Sequence, residues 1–506
     1  MMEQRSVIAQ TTRPEKKQTR THRWMRYFFT EDLSSDNRPI ADLQRRAVWI
    51  GLALVLQTLN EIDHNWYFPY LAPFGSLIPM ALILGSFLAI WMALRPASLD
   101  RLSGATRRQQ TYSTPGRPSR WQRFVLILTL LLVIPGGIEL GRGVIMTFLP
   151  PQFSNDGTSL DTNAAILLIE GRNPYTDSNL IDLARRFPIQ PNWTTPLRQG
   201  QFANRLDYPQ MAELQSVLDT SFKAGATPEF ESKVSYPALS FLTLVPFVQL
   251  GIYNVLPFYI LCYLAIVAIA WKVVRPELRP WVILLSLANV PMWTSAVGGN
   301  LDILYILLVI VAWLLRDRRW SSALFLGLAI ASKQPAWFFV PFYALLVWRQ
   351  YSFKEACYRL TIAGMLALAI NLPFILWNPQ AFLAGTLAPM GDPMFPMGVG
   401  IIGLSITHLL PYFPTTVYTA LEAVAMLLAL LCYWRICRRF PEAAFLLAIV
   451  PLFFAWRSLP SYFYCAAFPI FILFSAHIKP ASQGEAATAI GQKLRQMAKV
   501  PVAAGA

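Results

Sequence analysis

The sequence predicts an all-α polytopic membrane protein with about twelve transmembrane helices and a large extracytoplasmic helical loop. Of its 506 residues, 55% are hydrophobic and 14% are charged, whereas soluble proteins carry about 25% charged residues. So few charged residues would leave a soluble surface poorly hydrated, and much of the apolar surface is therefore expected to face lipid. The net charge of +15 also fits a membrane protein, because Lys and Arg accumulate in cytoplasmic loops.

Apolar segments recur along the chain, and several approach the ~20 residues that a helix needs to cross a bilayer. We treat residues 236–272 as one net crossing and residues 399–411 as a segment that only dips into the membrane. All the basic connections then lie on one side. The predicted spans are residues 47–62, 70–94, 122–149, 236–250 with 252–272, 281–297, 301–315, 321–333, 336–348, 358–377, 416–434, 442–457 and 462–478.

The positive charges are concentrated in a few segments. A polar N-terminal arm (residues 1–46), the basic connections and a C-terminal tail (residues 479–506) hold 33 of the 43 Lys and Arg residues, and the rest of the chain is net negative. This asymmetry predicts a multi-pass protein of the cell (plasma) membrane with both termini in the cytoplasm. Membrane lipids are the expected surroundings. The basic balance needs no nucleic-acid partner, and no cofactor or metal site is expected.

The chain divides into further segments between the arm and the tail. Residues 47–121 form two transmembrane helices and a basic cytoplasmic loop, residues 122–350 a central module, and residues 351–478 the C-terminal transmembrane helices. Within the central module, the loop of residues 150–235 carries ten Asp and Glu residues against seven Lys and Arg. A segment of this length is too long for a simple connection. Its apolar and aromatic content predicts an ordered helical cap on the external membrane face.

The start of this loop contains two candidate catalytic acids. Asp156 is expected in a turn, followed by a helix that Thr158 or Ser159 caps. Gly171 is expected to end that helix. Asp161 would then lie in the first helical turn, where the helix dipole stabilises a carboxylate without any catalytic role.

Four motifs in the central module occur in the order found in one family of enzymes. They are NDGTSLDTNAAILLIEGRNPY at residues 155–175, YPAL at 236–239, GGNLD at 298–302 and GLAIASKQP at 327–335. Together they resemble the membrane-embedded polyprenyl-phosphate-sugar-dependent glycosyltransferases of the C-type fold. The nearest resemblance is to glycosyltransferase family 87, which includes alpha-mannosyltransferases. The central module is therefore expected to be glycosyltransferase-like.

The resemblance implies a hexosyltransferase that moves a sugar such as mannose from a polyprenyl-phosphate donor to an extracytoplasmic lipid, glycan or protein acceptor. Asp156 or Asp161 would be the catalytic base, and Lys333 and Arg457 would bind the donor phosphate. The expected substrate-binding residues are Arg172, Asn173, Tyr175, Tyr236, Asn300 and Gln334.

Other interpretations of the same residues stay open at this stage. Lys333 at the external end of a short span needs an anionic partner, and a lipid phosphate would serve. It can instead extend to the outer interface. Arg457 can be an ordinary interfacial arginine, and Arg172 can be a surface residue in a turn. The alternative function is a transporter or flippase of lipid-linked saccharides.

Overall fold

The computed structural model describes residues 23–30, 38–65, 77–94, 118–151, 153 and 155–476. Most of the predicted N-terminal arm, the basic loop of residues 95–117 and the predicted C-terminal tail lie outside these residues. The part that is described is mostly helical. Its first long helix begins at Arg38, within the segment that the sequence assigned to the arm, and contains the whole predicted span of residues 47–62.

The α-helices are numbered in chain order. Those before the long polar loop are α1 (Arg38–Asn65), α2 (Leu77–Leu94), α3 (Arg120–Leu131) and α4 (Val133–Met146). The loop contains α5 (Asp156–Ile169), α6 (Pro174–Asp177), α7 (Leu180–Arg186) and α8 (Met211–Ala224). The middle of the chain forms α9 (Leu239–Leu242), α10 (Val245–Gln249), α11 (Leu256–Val273), α12 (Arg279–Leu287), α13 (Val290–Val297), α14 (Asp302–Leu314), α15 (Arg319–Ser332), α16 (Phe339–Gln350) and α17 (Phe353–Trp377).

The C-terminal part contains shorter elements around one long helix. Its helices are α18 (Pro379–Thr386), α19 (Ala388–Gly391), α20 (Ile402–Ile406), α21 (Thr415–Ile436), α22 (Ala444–Leu447), α23 (Ser461–Tyr464) and α24 (Ala467–Ala476). Short 3-10 turns are Arg23–Tyr27, Pro191–Trp193, Gly200–Phe202, Pro276–Leu278, Gln334–Phe338, Pro441–Ala443 and Val450–Phe454. Two short strands, β1 (Met397–Gly398) and β2 (Arg457–Ser458), pair in parallel.

Five helices of the described residues are long and apolar enough to cross a membrane, or six if the bent pair of Pro276–Leu287 and Val290–Val297 is one span. The five are Leu77–Leu94, Arg120–Met146, Leu256–Val273, Phe353–Trp377 and Thr415–Ile436. The expected count of about twelve is not confirmed. Several predicted spans form short or broken helices; residues 236–250, for example, divide into α9 and α10, and Pro246 lies at the start of α10.

The long apolar helices leave much of their surface outside the protein core. In the apolar stretch of α21 only 11% of the residues are buried within the protein. Leu427 and Leu428, for example, are exposed. Contiguous apolar surface of this extent is typical of a membrane protein. One large apolar cluster packs the interior, with Trp281, Trp293 and Trp313 among its largest fully buried side chains.

The packed pair α14 and α15 separates the two ends of the molecule. The basic turn between them contains Arg316 and Arg319, whereas Asp302 starts α14 and Lys333 follows α15. At 1.5 Å per residue these helices are about 20 Å long. The candidate site residues and the basic turn therefore lie about 20 Å apart along this pair of helices.

Several predicted basic connections meet at the basic end. The guanidinium of Arg319 bonds the carboxylate of Glu355 at 2.5 and 2.9 Å. Arg438 donates to the carbonyl oxygen of Arg349 at 2.6 Å, and Arg359 donates to that of Arg316. We call this surface the basic face. The contacts bring together three of the basic connections, those of residues 316–319, 349–359 and 435–439. The side of a membrane that they face stays a prediction.

Candidate functional site

Helix α5 places Asp156 at the edge of the candidate site. The helix begins at Asp156 because the side chain of Asn155 caps it, accepting from the backbone N–H of Thr158 at 2.9 Å. The expectation that Thr158 or Ser159 is the cap is wrong. The hydroxyl of Thr158 instead donates to the carbonyl oxygen of Gly299. Asp156 is thus the first helical residue, and its carboxylate is only half-buried.

The end of α5 agrees with the sequence. Gly171 has a φ of +76°, and the backbone N–H groups of Gly171 and Arg172 donate to the carbonyl oxygens of Leu168 and Leu167. This is a Schellman motif, in which glycine adopts the left-handed conformation without a Cβ penalty. Asn173 follows with an extended backbone and caps the short helix α6.

Asp161 lies in the second turn of α5, so the expectation that it occupies the first turn is wrong. Its side chain is buried, with 1% exposure, and Oδ1 accepts from the hydroxyl of Ser240 at 2.9 Å. Burial is the largest influence and raises the pKa of Asp161 to about 8, although the Ser240 hydrogen bond and Lys333 oppose it. A buried carboxyl of this kind is poorly placed to reach an acceptor hydroxyl.

Lys333 has an anionic partner within the protein. Its Nζ lies 2.8 Å from Oδ1 of Asp302 and 3.4 Å from Oδ1 of Asn300. The ammonium group also lies 5.0 Å from the centre of the Tyr236 ring. Lys333 is only 6% exposed, which argues against the alternative in which it extends to the outer interface. A lipid phosphate is not required to balance its charge.

Local backbone structure brings this lysine and its partner together. Helix α15 ends before Lys333, whose backbone is extended, because Pro335 follows two residues later and opposes continuation of the helix. Helix α14 starts at Asp302, whose N–H donates to Oδ1 of Asn300 at 3.0 Å. Asn300 therefore holds the start of α14 and also contacts Lys333.

Tyr236 lies between α5 and Lys333. Its backbone carbonyl oxygen accepts from the hydroxyl of Tyr175 at 2.8 Å. Its ring lies so close to α5 that a Cβ atom on Gly157 would be 2.8 Å from Oη and Cε2. Gln334 supports the same region, because its side-chain amide donates to the carbonyl oxygens of Ser235 and Thr386 at 2.6 and 2.8 Å.

Arg457 lies on the short strand β2. One of its terminal nitrogens lies 3.5 Å from Sδ of Met397 on the paired strand. The side chain is half-buried. Within the described part of the chain, no carboxylate forms an ion pair with Arg457, in contrast to Lys333.

Three tyrosines connect the three charged groups. The hydroxyl of Tyr236 is within electrostatic reach of Lys333 and Asp156. That of Tyr462 is within reach of Lys333 and Arg457, and that of Tyr208 is within reach of Arg457 and Asp156. Each pair of charged groups therefore shares a tyrosine. These electrostatic interactions link Asp156, Lys333 and Arg457 through the tyrosines, and we call the three charged groups the charged triangle.

Some predicted substrate-binding residues lie outside this triangle. Arg172 forms ion pairs at 3.3 to 3.5 Å with Glu170, Asp177 and Asp182 on the surface of the loop. Asn173 caps α6. Tyr175 is buried against a second apolar cluster. These three residues stabilise the loop, whereas Tyr236, Asn300 and Gln334 border the triangle.

Three residues that matter to the geometry have no role predicted from the sequence. Asp302 is the partner of Lys333, Ser240 binds Asp161, and Tyr462 interacts electrostatically with both Lys333 and Arg457. Asp302 carried a usable signal, because a buried Lys at membrane depth needs a carboxylate at a similar depth. Ser240 and Tyr462 carried no such sequence signal, since their roles depend on packing between distant segments.

The described residues contain no group of three or more His, Cys, Asp or Glu side chains arranged to hold a metal ion.

The resemblance to a glycosyltransferase family depends on the four sequence motifs, and membership of that family stays a prediction. Compared with protein-family models, curated proteins and solved structures, the chain has no match.

Proposed function

We propose that this protein is an integral-membrane glycosyltransferase that takes a sugar, such as mannose, from a polyprenyl-phosphate carrier. The acceptor is a lipid, glycan or protein on the extracytoplasmic side. The observation that carries the proposal is the charged triangle, which combines a half-buried Asp156, a half-buried Arg457 and a buried Lys333. A sugar transfer of this kind needs a base for the acceptor and cations for the departing phosphate.

Asp156 is the base in this mechanism. Its carboxylate removes the proton from the acceptor hydroxyl while the hydroxyl oxygen attacks the anomeric carbon from the face opposite the phosphate. The bond between the anomeric carbon and the phosphate oxygen breaks, its electron pair stays on that oxygen, and the sugar configuration inverts. The half-buried position of Asp156 favours it over the fully buried Asp161.

Arg457 is the principal phosphate-binding group. The leaving polyprenyl phosphate gains negative charge, and a guanidinium can bind two of its oxygens at once. Asp302 already balances the charge of Lys333, so Lys333 contributes its N–H groups and Arg457 contributes the excess positive charge. Tyr236 and Asn300 hold the ammonium of Lys333 in place.

The proposal also includes the predicted membrane topology. The triangle belongs on the extracytoplasmic face, the loop of residues 150–235 covers it, and the short apolar helices complete about twelve crossings. A polyprenyl-phosphate sugar fits this arrangement because its phosphate lies at the membrane surface and its chain in the lipid.

The test is transfer of radiolabelled mannose from polyprenyl-phosphate mannose to candidate lipid and glycan acceptors by the purified, detergent-solubilised full-length protein. Asp156→Asn is expected to lower the rate by 10²- to 10⁴-fold, as loss of a general base does. Asp161→Asn is the matched control and should stay within a few-fold of the unmodified protein, since Asn can still accept from Ser240.

Two outcomes would contradict these assignments. Loss of transfer in Asp161→Asn with retention in Asp156→Asn would move the base to Asp161. Movement of the lipid-linked sugar across reconstituted vesicles, without formation of any new glycosidic bond, would instead support the flippase.

A further inference from the structure

A charged cavity lies on the basic face, at the opposite end of the α14 and α15 pair from Asp302 and Lys333. Its volume is about 300 Å³, and it is formed by the start of α1, the segments after α14 and α21, and the end of α24. Four arginines line it, together with only two carboxylates. The charged lining residues are Arg46, Arg316, Arg438, Arg439, Asp42 and Glu442.

The two carboxylates balance only part of this positive charge. Glu442 is 4% exposed and forms an ion pair with Arg46 at 3.4 Å. Asp42 is also close to Arg46. Four arginines and two carboxylates leave an excess of two positive charges in the lining.

Arg316 and Arg438 are the two cations best placed to bind an anion. Among the described residues, neither forms an ion pair with a carboxylate. Arg316 bonds only the carbonyl oxygen of Trp313, at 3.5 Å, and Arg438 bonds that of Arg349, at 2.6 Å. Each guanidinium has five N–H donors, so both retain donors for another acceptor.

Apart from Gln350, the uncharged part of the lining is apolar. The guanidinium of Arg46 lies 4.1 Å from the centre of the Phe474 ring, and Phe440 and Leu43 also line the cavity. A site with basic groups at the ends of membrane helices and apolar groups beside them matches a lipid headgroup and the first part of its chains.

We propose that this cavity binds the phosphate group of an anionic phospholipid, with Arg316 and Arg438 as its main ligands. The lipid would join α1, α14, α21 and α24 at their ends on the basic face. This site is independent of the proposed sugar transfer, because it lies at the other end of the α14 and α15 pair.

The test is native mass spectrometry of the full-length protein in detergent, titrated with dioctanoyl-phosphatidylglycerol, dioctanoyl-phosphatidylcholine and inorganic phosphate. Phosphatidylglycerol should bind at least tenfold more tightly than phosphatidylcholine. The double variant Arg316→Gln with Arg438→Gln should weaken phosphatidylglycerol binding about tenfold or more, because each guanidinium supplies charge-assisted hydrogen bonds to the phosphate.

The matched control is Arg318→Gln with Arg435→Gln. This pair removes the same charge from exposed positions on the same face, and neither residue lines the cavity. It should stay within twofold of the unmodified protein. The single variant Arg438→Gln provides a second measurement of phosphatidylglycerol binding. Arg438 is exposed, so this substitution should leave the fold intact.

Equal weakening by the two double variants would overturn the proposal, because binding would then reflect only the general charge of the surface. Inorganic phosphate that binds as tightly as phosphatidylglycerol would overturn the lipid assignment, since the apolar part of the cavity would contribute nothing.

Discussion

At the scale of single residues, the pairing of Lys333 with Asp302 decides how the candidate site can act. Both side chains are almost fully buried, at 8% and 2% exposure, and lie 2.8 Å apart. A buried ion pair of this kind is sensitive to loss of either partner, because the other charge is left without compensation. Arg457 is then the cation of the triangle that forms no ion pair with a carboxylate of the described residues.

We expect Asp302→Asn to lower the free energy of unfolding by about 3–5 kcal/mol, since it leaves the Lys333 ammonium unpaired in the interior. The double variant Lys333→Met with Asp302→Asn should recover part of this loss. Detergent-solubilised protein unfolded in an SDS titration provides the measurement.

An exposed ion pair supplies the control for this prediction. Arg205 pairs with Glu213 in the polar loop, where the two side chains are 36% and 39% exposed, and Arg205→Gln should cost less than about 1 kcal/mol. If Asp302→Asn were no more destabilising than Arg205→Gln, the buried pair would not have the importance assigned to it.

At the scale of elements, the contact between α5 and Tyr236 links the polar loop to the helices that carry Lys333. Gly157 permits this contact, because any larger residue would overlap the tyrosine ring. Tyr236 cannot easily move away, since its backbone is bonded to Tyr175 and its ring lies against Lys333.

Gly157→Ala should therefore destabilise the protein by about 1–3 kcal/mol, the usual cost of overpacking, and should lower transfer activity by displacing Tyr236. The measurement combines SDS unfolding with the mannose-transfer assay. Gly137→Ala in α4 is the control, because no atom lies within 4 Å of its added Cβ. That change should be neutral or stabilising by up to about 1 kcal/mol, and equal effects of the two substitutions would refute the steric argument.

A second link joins the loop to the segment that follows α19. Nζ of Lys233 lies 2.8 and 2.7 Å from the two oxygens of Asp392. Beside it, the Glu231 carboxylate accepts from the backbone N–H groups of Ser232 and Lys233 at 2.9 and 2.8 Å. Burial is the main cause that raises the pKa of Glu231, to about 7 from an ordinary value of 4.5.

This raised pKa predicts a pH dependence of stability. The protonated form of Glu231 is favoured by folding, so its contribution is complete below about pH 4.5 and is lost as the pH rises through about 7. The size of the effect is on the order of 3 kcal/mol. Glu231→Gln keeps the hydrogen-bond acceptor and should remove this part of the slope, which unfolding curves from pH 4.5 to pH 8 would measure. An unchanged slope in Glu231→Gln would show that other groups cause it.

Local sequence signals predicted the parts of the site that depend on neighbouring residues. Gly171 and the Asn-Pro pair after it correctly indicated the end of α5. The start was less predictable, because Asn155, Thr158 and Ser159 are all good capping residues. The long-range bond from Thr158 to Gly299 decides between them, and no local pattern contains that information.

At the scale of the whole molecule, composition correctly indicated a helical protein with apolar helices able to span a membrane. The number of crossings was harder to predict, because helices such as Asp302–Leu314 and Ser461–Ala476 are apolar but short. Whether such a helix crosses a bilayer depends on tilt and on its neighbours. The partner of Lys333 was likewise missed because it depends on how α14 packs against α15.

The polar loop and the basic face are proposed to lie on opposite sides of the membrane. We therefore predict that a cysteine in each is labelled from a different side. In a cysteine-free background, the exposed positions Ala203 and Arg318 are changed separately to Cys and treated with a membrane-impermeant maleimide. Ala203→Cys should react in intact cells, and Arg318→Cys only in inverted membrane vesicles. Reaction of both from the same side would contradict the placement of the loop and the basic face on opposite sides.

The strand pair that holds Arg457 has a mechanical consequence. The segment of residues 392–400 is bonded at one end to the loop, through Lys233 and through the N–H of Arg198, which donates to the carbonyl of Pro393. At the other end it pairs with Arg457, where Gly398, with a φ of +131°, lies too close to Ser458 for any side chain. This segment therefore connects the polar loop to strand β2. While those hydrogen bonds persist, we expect a movement of the loop to move the backbone of Arg457 as well. In the proposed sugar transfer, entry of the acceptor and binding of the donor phosphate would then be coupled.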